Sequence, residues 1–426
     1  MAKVLWLADA GCHTGFARVT HALGERLVEQ YGHEIHVLAY NYSGDDWASS
    51  LDPSKKTPLW LYRPTKHIER DTFGYSRIIE LLGAIEPDVV VAYNDPYLIL
   101  EMLYNNQFDP NRILLQYRPI ISYIPCDGTN LPTDWMKIQQ ISNVVTMSEY
   151  GRSNYPNSKL VYHGVDTSQF WPVSEERPIV TSTGITLTSK RECKEVFGFD
   201  PDGFLVLRVD KNSGRKDFGA TFKAVAPVMK KHKDIQVHFH CEGKGGLSGV
   251  SIEQLITREP DIARDRWFLP GLHDSWVGWP QEDLNGLYNA ADIFVSTSRG
   301  EGYGLTLAEA LACGVPVIAQ NVSAIPEVVG PGGLLLEPQR LITVPSGEDI
   351  WLSDIDAFTK AIEYLYDNPD VRANLGRAGV SHVKNFTWDV AAEKFDRYIT
   401  ALADSVQETR AERGNTDGST VDGRSA

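Results

Sequence analysis

The sequence predicts an α/β protein built from two doubly wound parallel-sheet domains. Three observations carry this. Short, uninterrupted apolar runs alternate with amphipathic stretches along most of the chain, as expected of strands buried on both faces of a sheet and of the helices that cover them. The rhythm pauses over residues 170–195, which hold Pro172, Pro178 and the run Thr181-Ser182-Thr183-Gly184, and then restarts. At 426 residues the chain is also too long for one small core and fits two or three domains.

The elements follow in order. Residues 4–8 form a first strand, 16–30 a helix and 35–39 a second strand. The run 88–92 is another strand, with a helix over 96–104; strands at 120–124, 144–147 and 160–163 continue the series. After the connector come a strand at 204–209, a helix at 218–231 and a strand at 235–240. A short helix at 284–290 leads to a strand at 293–296, a helix at 306–312, and strands at 316–319 and 333–336. A last helix begins near 389. From 407 the residues are polar, rich in Gly, Ser, Thr and Asp, and without apolar period, which predicts disorder. The expected divisions are 1–170, 171–388, a helix over 389–406 and a tail over 407–426.

The net charge of −15 argues against a broad nucleic-acid or anionic-membrane surface. The five cysteines are odd in number and lack CxxC spacing, which points to a reduced, cytoplasmic setting without a disulfide framework or zinc site. No apolar stretch approaches the ~18–20 residues of a membrane span.

Chemistry concentrates in the stretch from Ser298 to Ala310. Glu301 and Glu309 stand eight positions apart, with Gly302, Tyr303, Gly304 and Leu305 between them; a buried strand precedes and a helix follows. A strand, glycine turn and helix offer free N–H groups and a positive dipole end to a phosphate. Ionised glutamates accept hydrogen bonds from vicinal hydroxyls. Both together suit a diphosphate with hydroxylated rings at its two ends, a nucleotide-sugar. The loop Lys211-Asn212-Ser213-Gly214-Arg215-Lys216 puts three cations after another strand of the same domain, where they would neutralise a leaving nucleoside diphosphate. Near the N-terminus, Gly11-Cys12-His13-Thr14-Gly15 is a glycine loop after the first strand, which a tight turn alone would also explain. Asp127, after the strand at 120–124, suits either an active-site position or an Asp-Gly turn. The pairs Asp200/Asp202 and Asp354/Asp356 fit a turn and a helix start and are not taken as metal sites.

These residues resemble those of a family 4 glycosyltransferase of the GT-B class, whose two Rossmann-like domains face each other across a cleft. The likeness runs through 284–292, 301–309, Cys313-Gly314-Val315-Pro316 and Ile325-Pro326-Glu327, and includes His163-Gly164-Val165-Asp166 and Phe386-Thr387-Trp388. It covers about residues 140–405 well and the first 140 in outline. The resemblance implies that Glu309 binds the donor ribose and Glu301 the transferred sugar. Gly302, Tyr303, Gly304 and Leu305 would present backbone groups, and Lys216, with Lys211 or Arg215, would hold the diphosphate. Gly15 would lie against the donor, and Asp127 falls where many members carry His or Asp near the reacting centre. The last helix would cross back onto the first domain. The implied reaction is retaining transfer of a sugar from a UDP- or GDP-type nucleotide-sugar to an unidentified acceptor, without metal or cofactor. A sugar phosphorylase or epimerase on the same fold, a non-catalytic binding subunit, and transfer to modified nucleic-acid bases are the competing expectations.

Overall fold

The computed structural model describes residues 1–64, 73–104, 119–245, 249–270 and 278–417. The first sheet takes β1 (Lys3–Asp9), β2 (Glu34–Tyr40), β3 (Trp60–Tyr62), β4 (Val89–Tyr93), β5 (Ile120–Ile124), β6 (Asn143–Thr146) and β7 (Lys159–Leu160) in the order 3-2-1-4-5-6-7. All neighbouring pairs are parallel. Its helices include α1 (Gly15–Glu29), α2 (Tyr75–Ile85), α3 (Pro96–Tyr104) and α4 (Glu149–Asn154).

A small antiparallel pair, β8 (Ile179–Val180) and β9 (Thr186–Leu187), and α5 (Lys190–Val196) lead into the second sheet. That sheet holds β10 (Phe204–Val209), β11 (Ile235–His240), β12 (Trp267–Phe268), β13 (Ile293–Ser296), β14 (Val317–Gln320) and β15 (Gly333–Leu336), in the order 12-11-10-13-14-15 and again parallel. Its helices include α6 (Phe218–Lys231), α7 (Ile252–Ile256), α8 (Gln281–Ala290), α9 (Leu305–Ala312) and α10 (Ile325–Val329). Strands β1, β4, β10 and β13 are buried along nearly their whole length, which explains their largely apolar sequences.

Both sheets change direction of growth beside their first strand, at β1/β4 and at β10/β13. A crevice opens outside the carboxyl ends of the strands at such a point, and ligands bind there. The loops after β10 and β13 carry Lys216 and Glu301, so the topology alone makes them neighbours. The loop after β1 leads into Gly15 at the start of α1, and the loop after β5 carries Asp127.

A hairpin of β16 (Pro338–Thr343) and β17 (Asp349–Ser353) follows the second sheet. It reaches the first domain through a bridge between Asp349 and Thr129. Then come α11 (Ile355–Asp367), α12 (Pro369–Val383) and α13 (Trp388–Asp417). Helix α13 returns to the first sheet: Phe395 stacks on Trp6 at 5.3 Å and meets Tyr123 at 5.2 Å. Asp389 accepts from Arg26 at 2.7 Å, and Asp396 lies 2.8 Å from the His33 ring.

The expected disorder from residue 407 is corrected as far as Asp417, since α13 continues that far. Glu, Arg and Ala over 408–413 extend a helix whose nucleation the packed segment has already supplied. Residues 418–426 lie outside the described residues. The strand expected at 160–163 is instead Lys159–Leu160, and His163 sits beyond it among Tyr93, Tyr123, Tyr303 and Trp388. Burial pushes the His163 imidazole down to about 3, so it is neutral. All five cysteines are buried and free. Among the described residues no helix is long and apolar enough to cross a membrane.

Candidate active site between the two sheets

The loop after β10 makes one turn of 3-10 helix at Gly214–Lys216. Asp217 then caps α6, accepting from the Ala220 amide at 3.1 Å. Arg299, on the loop after β13, zips the two loops together. Its amide donates to the Arg215 carbonyl at 2.9 Å, and its guanidinium grips Asp217 at 2.8 and 3.0 Å. The glutamate loop therefore rests on the cation loop before any ligand is considered.

Glu301 is the hub of the cleft. Lys216 donates to its Oε1 at 2.6 Å and Arg215 to its Oε2 at 3.2 Å, while its amide donates to Ser323 Oγ at 2.8 Å. Burial works to raise its pKa, but Lys216 and Arg215 outweigh that and hold the carboxyl down at about 2. Lys216 also meets Asp210 Oδ1 at 2.8 Å.

Arg215 crosses to the first domain, where its Nε lies 3.1 Å from Asp127 Oδ2. Burial raises the Asp127 pKa, and Arg215 opposes the rise. The two sides touch closely here. A Cβ built on Gly300 would lie 1.9 Å from the Asp127 carbonyl oxygen, and one on Gly302 would lie 2.5 Å from Pro125 Cβ. Glycine is required at both by contact with the opposite domain, a different demand from a phosphate's approach.

Glu309, buried on α9, accepts from Tyr288 OH at 2.8 Å through Oε2 and from Arg18 of α1 through Oε1. It lines a shallow recess, open to solvent, with Arg18, Arg26, Asp166, Gln281 and Leu305. Gly15 faces Leu305: a Cβ there would stand 3.8 Å from Leu305 Cδ1. Gly304 caps α9 at φ +104, a conformation that favours glycine.

The structure thus brings Asp127, Arg215, Lys216, Glu301 and Gly302 into one cluster, with Glu309, Gly304, Leu305 and Gly15 along the same cleft. Lys211 and the Tyr303 side chain stand outside that cluster. Lys211 is exposed, and its charge bears on Asp9 and Cys12 of the first domain. Tyr303 turns its ring away to pack 5.1 Å from His163. His13 packs beside Trp47 at 5.3 Å; burial and then Arg18 lower its pKa. Asp354 caps α11 and Asp200 closes a turn onto the Asp202 amide.

Two residues of the cleft escaped the sequence reading, Arg18 and Asp210, and so did Arg208, buried behind the cation loop. An arginine near the end of the apolar run Phe-Leu-Val-Leu-Arg-Val was the one available signal.

Residues 205–368 match the model of the family described as glycosyl transferases group 1. A D-inositol 3-phosphate glycosyltransferase of Corynebacterium jeikeium is 30% identical over 249 residues, 57% of this chain and 52% of that protein. O-antigen chain mannosyltransferase B of Escherichia coli is 35% identical over 123 residues, 28% of this chain and 29% of that one. The chain therefore spans about half, or less, of the length of these curated relatives. Among solved structures, sucrose-phosphate synthase of Thermosynechococcus elongatus aligns with a TM-score of 0.68 at 16% identity, over 95% of this chain and 100% of that one. Anabaena HepE in complex with UDP-glucose aligns at 0.64 and 14%, over 97% and 100%. At these identities the structural likeness is one of fold. The likeness to the glycosyl transferases group 1 family is thus carried by residues 205–368, in a chain with the two-domain GT-B fold.

Proposed function

We propose that the protein transfers a sugar from a nucleotide-sugar of UDP or GDP type to a hydroxyl of an acceptor, with retention of configuration and without a metal ion. The observation that carries this is the Lys216–Glu301–Arg215 cluster, set where the switch points of two parallel sheets face each other. The relatives are named as glycosyltransferases, and HepE was solved with UDP-glucose.

In this reading the donor diphosphate replaces carboxylates as the partner of Lys216 and Arg215, and lies at the N-terminus of α9. Those charges stabilise the leaving phosphate as the anomeric bond breaks. Glu309 accepts from the ribose hydroxyls, exchanging them for Arg18. Glu301 accepts from hydroxyls of the transferred sugar. The acceptor attacks from the face the phosphate leaves, and a departing phosphate oxygen takes its proton. Asp127, from the opposite domain, orients the acceptor. Closure of the cleft excludes water from the intermediate state.

The test is a thermal-shift screen of UDP-, GDP- and ADP-sugars, since a ligand of the folded state raises the melting temperature. It is followed by NMR assignment of the product anomer with and without EDTA. A stabilising nucleotide-sugar, an anomer matching the donor and no loss in EDTA support the proposal. An inverted anomer, or transfer abolished by EDTA, overturns it in that respect.

A further inference from the structure

Arg208 is fully buried near the carboxyl end of β10, where a parallel sheet favours apolar side chains. Burying a guanidinium is unfavourable unless hydrogen bonds and a counter-charge offset the lost hydration. Here they come from the cation loop and its neighbours. Nη1 donates to Thr297 Oγ1 at 2.8 Å and to Thr221 Oγ1. Nη2 donates to the Lys216 carbonyl and lies 3.4 Å from Asp210 Oδ2. The guanidinium carbon sits 4.3 Å from the centre of the Phe218 ring.

Lys216 is consequently gripped at both ends by one side chain. Its backbone is held directly at the carbonyl. Its ammonium is held through Asp210, whose other oxygen receives Nζ at 2.8 Å. The ionic row Arg208, Asp210, Lys216, Glu301, Arg215, Asp127 alternates in sign from the second sheet to the first domain. Arg208 is its buried end. No diphosphate would reach Arg208 itself, because the loop covers it.

We propose that Arg208 is a positioning residue for Lys216, fixing where the ammonium stands in the cleft by holding both that residue's carbonyl and the carboxylate that receives its Nζ. This deepens the glycosyltransferase reading and rests on it for its catalytic consequence. Without Arg208, Asp210 loses its buried counter-charge and draws the ammonium toward itself. The donor phosphate then meets a displaced cation.

The experiment compares wild type with Arg208→Met and with Arg208→Lys, which keeps a buried charge but cannot fork to the same oxygens. Two readouts are used on protein shown to be folded by near-ultraviolet circular dichroism. The first is steady-state transfer: kcat should fall about 10–100-fold while donor KM changes less than about threefold, the pattern of a misplaced transition-state group. The second is the acylation rate of Lys216 by sulfo-N-hydroxysuccinimide acetate, followed by peptide mass spectrometry. It should fall below the wild-type rate in both variants, because an ammonium drawn onto Asp210 is held protonated and is less nucleophilic. Wild-type kcat together with wild-type labelling in Arg208→Lys overturns the proposal. Failure of both variants to fold overturns it too, by making Arg208 purely structural. If the wild type transfers no sugar from any nucleotide-sugar, the functional reading fails, and the labelling rate still decides whether Arg208 holds Lys216.

Discussion

Arg215 and Asp127 face each other across the cleft with Nε and Oδ2 3.1 Å apart, joining the second domain to the first at the point where the two sheets' loops converge. The same guanidinium donates to Glu301 on its own side. The cleft is therefore lined by cations that already hold carboxylates. A diphosphate has to win those cations from Glu301 and Asp127, so donor binding and interdomain pairing compete for the same groups.

Lys216 is the cation placed most directly on the glutamate hub. Replacing it in Lys216→Ala should lower kcat by about 10²–10³-fold, the scale of losing one preorganised charge-stabilising group. Melting temperature should fall only modestly, because Arg215 still faces Glu301. Steady-state transfer assays beside thermal melts check this; unaltered turnover would remove Lys216 from the site.

Glu309 is buried and carries two donors, Arg18 and Tyr288. Glu309→Gln keeps the shape and loses the charge. Donor KM should rise about tenfold or more, the scale of a lost charged hydrogen bond, with a smaller change in kcat. A calorimetric titration of the matching nucleoside diphosphate is the direct check, and unchanged affinity would take Glu309 off the ribose.

Asp95 and Glu301 give stability opposite dependences on pH. Burial, with Asp127 nearby, raises Asp95 from 3.8 to about 6, so the folded state holds its proton more tightly; that stability is present below pH 3.8 and lost as pH rises through 6. Glu301 is depressed from 4.5 to about 2, so its contribution is present above pH 4.5 and lost as pH falls toward 2. Asp95→Asn should melt like wild type near pH 4 and about 2–4 °C higher near pH 7.5. Melting curves across that range test it, and a variant that gains nothing at pH 7.5 would contradict the assignment.

Phe395 joins α13 to the first sheet between Trp6 and Tyr123, and it is fully buried. Phe395→Ala should cost about 3–5 kcal/mol of unfolding free energy, read from urea denaturation. A loss below about 1 kcal/mol would mean that the returning helix contributes little to the first domain's core.

Much of the fold was readable because β1, β4, β10 and β13 are buried on both faces and appear as plain apolar runs. The hairpin β16–β17 was not, because its residues are mostly partly or fully exposed and carry no apolar period to read. Strands β3 and β12 hold three and two residues, too few to show any period. The pairing of Glu301 with Lys216 followed from glycine turns after strands of one sheet. Arg18 with Glu309 and Arg215 with Asp127 did not, since each joins residues of different domains and depends on how the sheets face. Arg208 was hidden for another reason: its hydroxyl partners, Thr221 and Thr297, come from other elements, and of its partners only Asp210 stands close to it in sequence.

The chain starts in the first sheet and, through α13, comes home to it. The second domain is therefore attached at two crossings, near Val165 and near Phe386, and these are hydrogen-bonded to each other at 2.9 Å. A single tether would let the domains swivel about any axis. Paired tethers pinned side by side, with Gly164 pressed against the Trp388 amide so that no side chain fits between, restrict them to opening and shutting like a book along its spine.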